Sequence, residues 1–355
     1  MVKIIYKYRK KITIIFSLLI VLLFGYVLSN RFIAKKTMLS VKSQDKLIIS
    51  TFSVDNKGSI LSLEVKSKIE KYLITDRQVG ITGDLYKDSS KIVYVDALND
   101  YDPWQIYLHN LKDNKSFQVT DNKSGKAQPR VADDNSIFFL NAPHGIVKVA
   151  KIKIETKSYE IIDNSDSDRE VDTFSIKHNK LLISTSSSSL RLKSWKENQG
   201  QLKPLIHTIF EVNSNGNKLS KIATIKASLV QSISYNSNYK KVLIGGSDIN
   251  ENPGFGIYEL SLDTGHLTTI LTDSTLANDN NSIVSKIAHP VLTEMSKDDS
   301  LVYFTGVPKN SKEVKISEIS CYPTAIFSYN INTKELKKIF NPKVSSLIYG
   351  MTIKN

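Results

Sequence analysis

The sequence predicts an all-β fold, a six-bladed β-propeller of four-stranded blades, and three observations carry that prediction. An alternating apolar strand pattern recurs along residues 45–355, tight polar turns recur with it, and the sixth copy is divided between the two ends of the region. Fixed-period all-β repetition describes units that cannot bury their faces alone and must stack on neighbours.

The third strand of each unit is the plainest. Segments beginning at Ser59, Gln105, Lys148, Thr208, Gly256 and Ala325 are apolar at alternate positions, the period of a strand that packs on a neighbour. Turns at 155–157, 263–265 and 332–334 lead to fourth strands, several closing on Thr-Asp at Thr75-Asp76, Thr120-Asp121 and Thr272-Asp273. Second strands begin at Lys91, Ser136, Lys180, Lys241 and Ser300. The turns before them are rich in Asp, Asn and Ser, which hydrogen-bond their own backbone. Counted from Ile92, second strands recur after 45, 44, 61 and 59 residues, so the later blades carry longer loops.

Five blades are then complete. Residues 45–76 supply second, third and fourth strands without a first, and residues 346–353 read as a first strand with nothing after it. Joined, they make blade six and close the ring, which removes open sheet edges. The Thr-Asp endings, the Asp/Asn-rich turns and the Ile-Tyr pairs of the third strands (Ile106-Tyr107, Ile257-Tyr258) resemble the repeats of TolB-type six-bladed propellers over about residues 45–355. That resemblance implies the fold. TolB has an α/β domain ahead of its propeller and this chain has an apolar segment there, so TolB's partner in the outer-membrane system is not carried over.

The segment is expected to be a signal-anchor. Residues 1–11 read as a cytoplasmic basic tail, 12–29 as a transmembrane helix and 30–44 as a linker. Ile12 to Leu28 is uncharged; as a helix it spans roughly 25 Å against a hydrocarbon core of ~30 Å, so Phe32, Ile33 and snorkelling lysines must help. A cleaved leader is the competing reading, with a passable site at 27–29, but the apolar run exceeds the usual length of about 7 to 15 residues. Lys3, Lys7, Arg9, Lys10 and Lys11 precede the segment and Arg31, Lys35, Lys36 and Lys42 follow it, which favours the amino terminus inside and the propeller outside the cytoplasm.

Those nine cations also account for most of the formal charge of +13, leaving +4 for residues 45–355. A nearly neutral propeller without a basic cluster interleaved with aromatics gives no nucleic-acid signal. The single cysteine, Cys321, excludes an internal disulfide and a lipid-anchor cysteine near the leader.

Propeller geometry sorts the loops. Connections from second to third strand, and from fourth strand to the next blade, share one face, and every long insertion falls there: 96–103, 141–145, 185–204, 248–255, 274–288 and 307–323. Loops on a rigid scaffold are where binding resides. Tyr101, Trp104, Arg191, Trp195, Phe255 and Tyr322 are the aromatic and Arg residues of this face suited to anchor a partner, with packing between blades as the bland alternative. Leu190 and Leu192 flank Arg191, and serines 186–189 read as a flexible hinge. Because the chain enters blade six at its second strand, the elaborated face is expected to look away from the membrane.

The funnel rim is expected to hold Gln128, Arg130, Asp172, Gln231 and His289, with Gln78, near the starts of first strands. Of the six histidines, His178 and His266 fall in short turns, and His109 and His207 in third strands toward the periphery. Only His289, with His144, is placed to reach the funnel, too few for a metal site of three or four ligands. Residues 163–170 are acidic but lack the glycine and spacing of a calcium loop. No Gly-x-Ser-x-Gly elbow occurs. The sequence therefore predicts a non-catalytic binding or scaffold module for a protein or cell-envelope polymer, without metal or cofactor. The alternative is a carbohydrate-active enzyme, lyase or hydrolase, working in the funnel.

Overall fold

The computed structural model describes residues 45–354, except 78–80, 99–101, 157, 164, 214–217 and 317. The predicted basic tail, anchor and linker lie outside these residues, as do Gln78 and Tyr101. No helix among the described residues is long and apolar enough to cross a membrane.

The described chain is a ring of six antiparallel sheets. Blade one contains Gly83–Leu85, Lys91–Asp96, Gln105–Asn110 and Lys115–Gln118, and blade two Lys126–Val131, Ile137–Asn141, Lys148–Lys153 and Ser158–Ile162. Blade three runs Arg169–Lys177, Lys180–Ser187, Leu205–Asn213 and Ser220–Ala227, and blade four Leu229–Tyr235, Lys241–Ser247, Phe255–Ser261 and Leu267–Thr272. In blade five the first strand is broken into Val284–Ile287 and Thr293–Met295, both paired with Leu301–Pro308, ahead of Ala325–Asn330 and Leu336–Phe340.

Blade six closes the ring as the remnants require. Ser346–Lys354 is its innermost strand and pairs antiparallel with Lys46–Ser53, from Lys46 opposite Lys354 to Ser53 opposite Ser346. Gly58–Glu64 and Ile69–Arg77 complete the sheet.

The core is six clusters, one at each interface between blades. Phe139 and Val93 lie between blades one and two, Phe138 and Phe174 between two and three, and Ile209 and Tyr258 between three and four. Phe304 and Leu243 join four to five, Ile49 and Tyr303 five to six, and Ile48 and Tyr94 six to one. Alternate residues of each second strand serve opposite neighbours, as with Phe138 and Phe139. That is why these strands are apolar almost throughout while fourth strands are exposed on one side.

Candidate functional site

The two faces of the ring differ as the loop lengths require. Connections within the first hairpin of a blade, such as 86–90, 132–136 and 178–179, are tight turns. The opposite face carries the helix Ser188–Glu197, the helix Asp273–Asn278, short helical turns at Pro143–Gly145 and Ile249–Glu251, and a hairpin of Val314–Ile316 with Ile319–Cys321.

Inner strands reach the channel mouth of this face through bulges. Register slips in first strands fall at Gln128, Asp172, Gln231 and Tyr349, each an extra residue opposite its partner strand. A bulge re-aims one side chain. Gln231 turns to the next blade: its amide nitrogen meets His289 Nδ1 at 2.9 Å and its amide oxygen accepts from the backbone N–H of Val291 at 3.0 Å. His289 stacks on Phe255, ring centroids 5.5 Å apart. Gln231 and His289 thus meet across neighbouring blades.

Asp172 does not line the funnel. Its side chain is buried within blade three, where Ser184 Oγ donates to it at 3.0 Å, Ser186 Oγ at 2.9 Å, and His207 Nδ1 lies at 2.8 Å. Arg191 adds a direct ion pair from the helix, and also reaches Glu170 at 3.6 Å. Burial works to raise the Asp172 carboxyl, but His207, Arg191 and Ser186 outweigh it and hold it below the ordinary carboxylate range. His207 is correspondingly a core residue and not a peripheral one; its Nε2 faces the Ala227 carbonyl at 3.0 Å.

This grouping of Ser, His and Asp is not a nucleophilic triad. The serine hydroxyls donate to the carboxylate and not to the imidazole, whose second nitrogen is taken by a backbone carbonyl, so no base faces a nucleophile. Its role is to hold the helix. Ser187 caps the helix by accepting from Leu190 N–H at 3.1 Å, and the Asp168 carboxylate takes Ser189 N–H at 2.7 Å. The predicted serine hinge is therefore a fastening point, because these hydroxyls find acceptors and donors that a solvated linker lacks.

Buried lysines hold the neighbouring loops. Lys148 Nζ donates to the carbonyls of Asp163, Asp166 and Arg169, filling with an ammonium the kind of oxygen cage a cation takes, while Arg169 pairs with Asp163 and Asp166. Lys126 does the same among Asn122 and Ser124, and burial pushes its ammonium down to about 8. Among the described residues no group of three or more His, Cys, Asp and Glu is placed to hold a metal ion.

The anchor candidates separate into two kinds. Trp104 packs against the clusters on both sides of blade one, Phe255 against the cluster between blades four and five, and Arg191 is engaged as above; packing between elements uses these three. Trp195 is 51% exposed beside Leu190 and Leu192, and Tyr322 is 40% exposed with Lys286 Nζ 5.1 Å from its ring centre. Sequence reasoning missed Leu98, Ile206, Ile283, Ile319 and Val344, also exposed here. Apart from Ile69, Tyr72, Phe117 and Tyr159 on outermost strands, every large apolar side chain exposed among the described residues lies on this face or at its channel mouth.

No family model matches the chain, and no curated protein matches it. Solved structures share its fold. TolB from Acinetobacter baumannii is similar with a TM-score of 0.61 at 11% identity over 87% of this chain, and the match spans 66% of that protein, about two thirds of its length. A chain in the nidogen/laminin complex aligns with a TM-score of 0.55 at 10% identity, covering 88% of this chain and 99% of that one. TolB from Agrobacterium tumefaciens aligns with a TM-score of 0.51 at 7% identity, again over 88% and 99%. The fold is a TolB-like six-bladed propeller.

Proposed function

We propose that the chain is a membrane-anchored, extracytoplasmic binding or scaffold module whose elaborated face takes a protein partner. The observation that carries this reading is that, the outermost strands apart, the exposed large apolar side chains lie on that face or at its channel mouth, with Trp195, Leu190 and Leu192 presented on a helix fastened to blade three. Apolar patches framed by polar residues mark interaction sites, and a rigid aromatic anchor costs little ordering entropy when it binds. The funnel supports the same reading. Its cavities at Gln128, Arg130 and Glu294 measure about 30 Å³ each, whereas small-molecule sites run to roughly 300–1,000 Å³.

The test is capture of partners from solubilised envelope by the intact protein. Replacing Leu190, Leu192 and Trp195 by Ser together is expected to reduce capture at least tenfold while the melting temperature stays within about 2 °C. Arg191 is left intact because it is structural. Undiminished capture by a folded variant would move the site elsewhere.

Location is tested separately. With the anchor in the membrane and the propeller outside, protease added to cells stripped of any outer barrier degrades the propeller and leaves a small amino-terminal membrane fragment. A fully protected chain would reverse the topology.

A further inference from the structure

The axial channel holds charged groups that the binding face does not use. Arg130 comes from blade two, Lys177 from blade three and Glu294 from blade five, all lining one small cavity with Ser175 and Ser234. Neither cation forms an ion pair within 4.0 Å among the described residues: Arg130 donates to the Pro129 carbonyl at 3.1 Å and Lys177 to the Tyr235 carbonyl at 3.3 Å. The hydroxyls of Ser175 and Ser234 are buried without a hydrogen-bond partner, and Ser234 is 6% exposed. Two cations and two unspent hydroxyl donors therefore converge on a space of about 30 Å³, which holds one water-sized species.

We propose that this cavity binds a single halide-sized anion, chloride in solution, between Arg130, Lys177 and the hydroxyls of Ser175 and Ser234. Each hydroxyl has a proton to donate and each cation lacks a counter-charge at contact distance, so an anion satisfies all four where a water satisfies the hydroxyls alone. The size excludes sulfate and phosphate.

Glu294 sets the pH dependence. Burial pushes its carboxyl up to about 7, against the pull of Arg130 and Lys177. Asp84 acts on Glu294 in the same direction as burial and is itself paired with Lys354 at 2.8 Å. Asp299 acts on Lys177 from the short-turn side. Below about 7 the protonated Glu294 no longer repels an anion, so affinity rises as the pH falls. By linkage the bound anion favours that proton in turn.

The experiment follows thermal unfolding of the full-length protein in detergent, in sodium chloride against sodium gluconate at equal ionic strength. At about pH 6, chloride at ~0.2 M is expected to raise the midpoint by about 3 °C over gluconate, with a much smaller difference at about pH 8. Glu294→Gln should show the chloride shift at both pH values, and Arg130→Gln should lose it. Equal midpoints in the two salts at pH 6 for the unaltered protein would overturn the site and leave water in the cavity. A chloride shift undiminished in Arg130→Gln would overturn it as well. Should Arg130→Gln fail to fold, the unaltered protein and Glu294→Gln decide the matter between them.

Discussion

Removal of residues 347–355 is expected to abolish the cooperatively folded monomer. The strand Ser346–Lys354 is the innermost strand of blade six and joins that blade's amino-terminal strands to the loop from blade five. It buries Ile348 and Met351 in the cluster shared with Leu47, Ile49, Tyr303 and Ile326, and Lys354 ties blade six to Asp84 of blade one. Each fully buried apolar side chain is worth about 1.5–3 kcal/mol. The ladder to Lys46–Ser53 is lost with them, and an unpaired edge is left open to association. Against a total stability of about 5–15 kcal/mol, these losses are decisive. Circular-dichroism melts and size-exclusion chromatography check it: the expectation is aggregation or a non-cooperative melt. A soluble monomer with an unchanged midpoint would show that the ring does not depend on its closing strand.

The ring was legible because each blade repeats the same burial problem. Strands at Lys91, Lys180 or Lys241 must serve two neighbours at once, and an apolar run between polar turns states that in any copy. The same period misplaces one of the bulge residues. Asp172 reads as a polar position near the start of a first strand, and the extra residue between Val171 and Thr173 turns it into the blade instead, since one inserted residue reverses the side to which a side chain points.

The helix Ser188–Glu197 was hidden for a different reason. Its apolar residues, Leu190, Leu192 and Trp195, form no inward stripe; its one buried residue is Ser194. What fastens it is a charge, Arg191, whose partner lies 19 residues away on another strand. Polar residues at alternate positions of an apolar strand, Ser184 and Ser186, were the one available signal that a buried acceptor faced them. Trp104 and Phe255 looked like anchors because aromatic loop residues at a propeller rim either contact a partner or seal a blade edge, and composition does not separate the two.

The buried charge at Asp172 yields the second large effect. Asp172→Ala leaves Arg191 and His207 without their carboxylate and Ser184 and Ser186 without their acceptor, and breaking such a buried set costs about 3–5 kcal/mol. Asp172→Asn keeps the shape and removes the charge, so it separates packing from electrostatics. The native Asp172 carboxyl sits below the ordinary range of an aspartate. A carboxyl depressed by folding contributes stability that is fully present above its unfolded value, about 4, and is lost as the pH falls through the folded value. Denaturant titrations at several pH values should therefore show the unaltered protein well above Asp172→Asn near neutrality, with the gap narrowing below about pH 4. Hydrogen exchange over residues 188–198 should quicken in both variants, because Arg191 no longer fastens the helix. A gap under about 0.5 kcal/mol at neutral pH, with unchanged exchange in the helix, would mean that the network neither stabilises blade three nor presents Trp195.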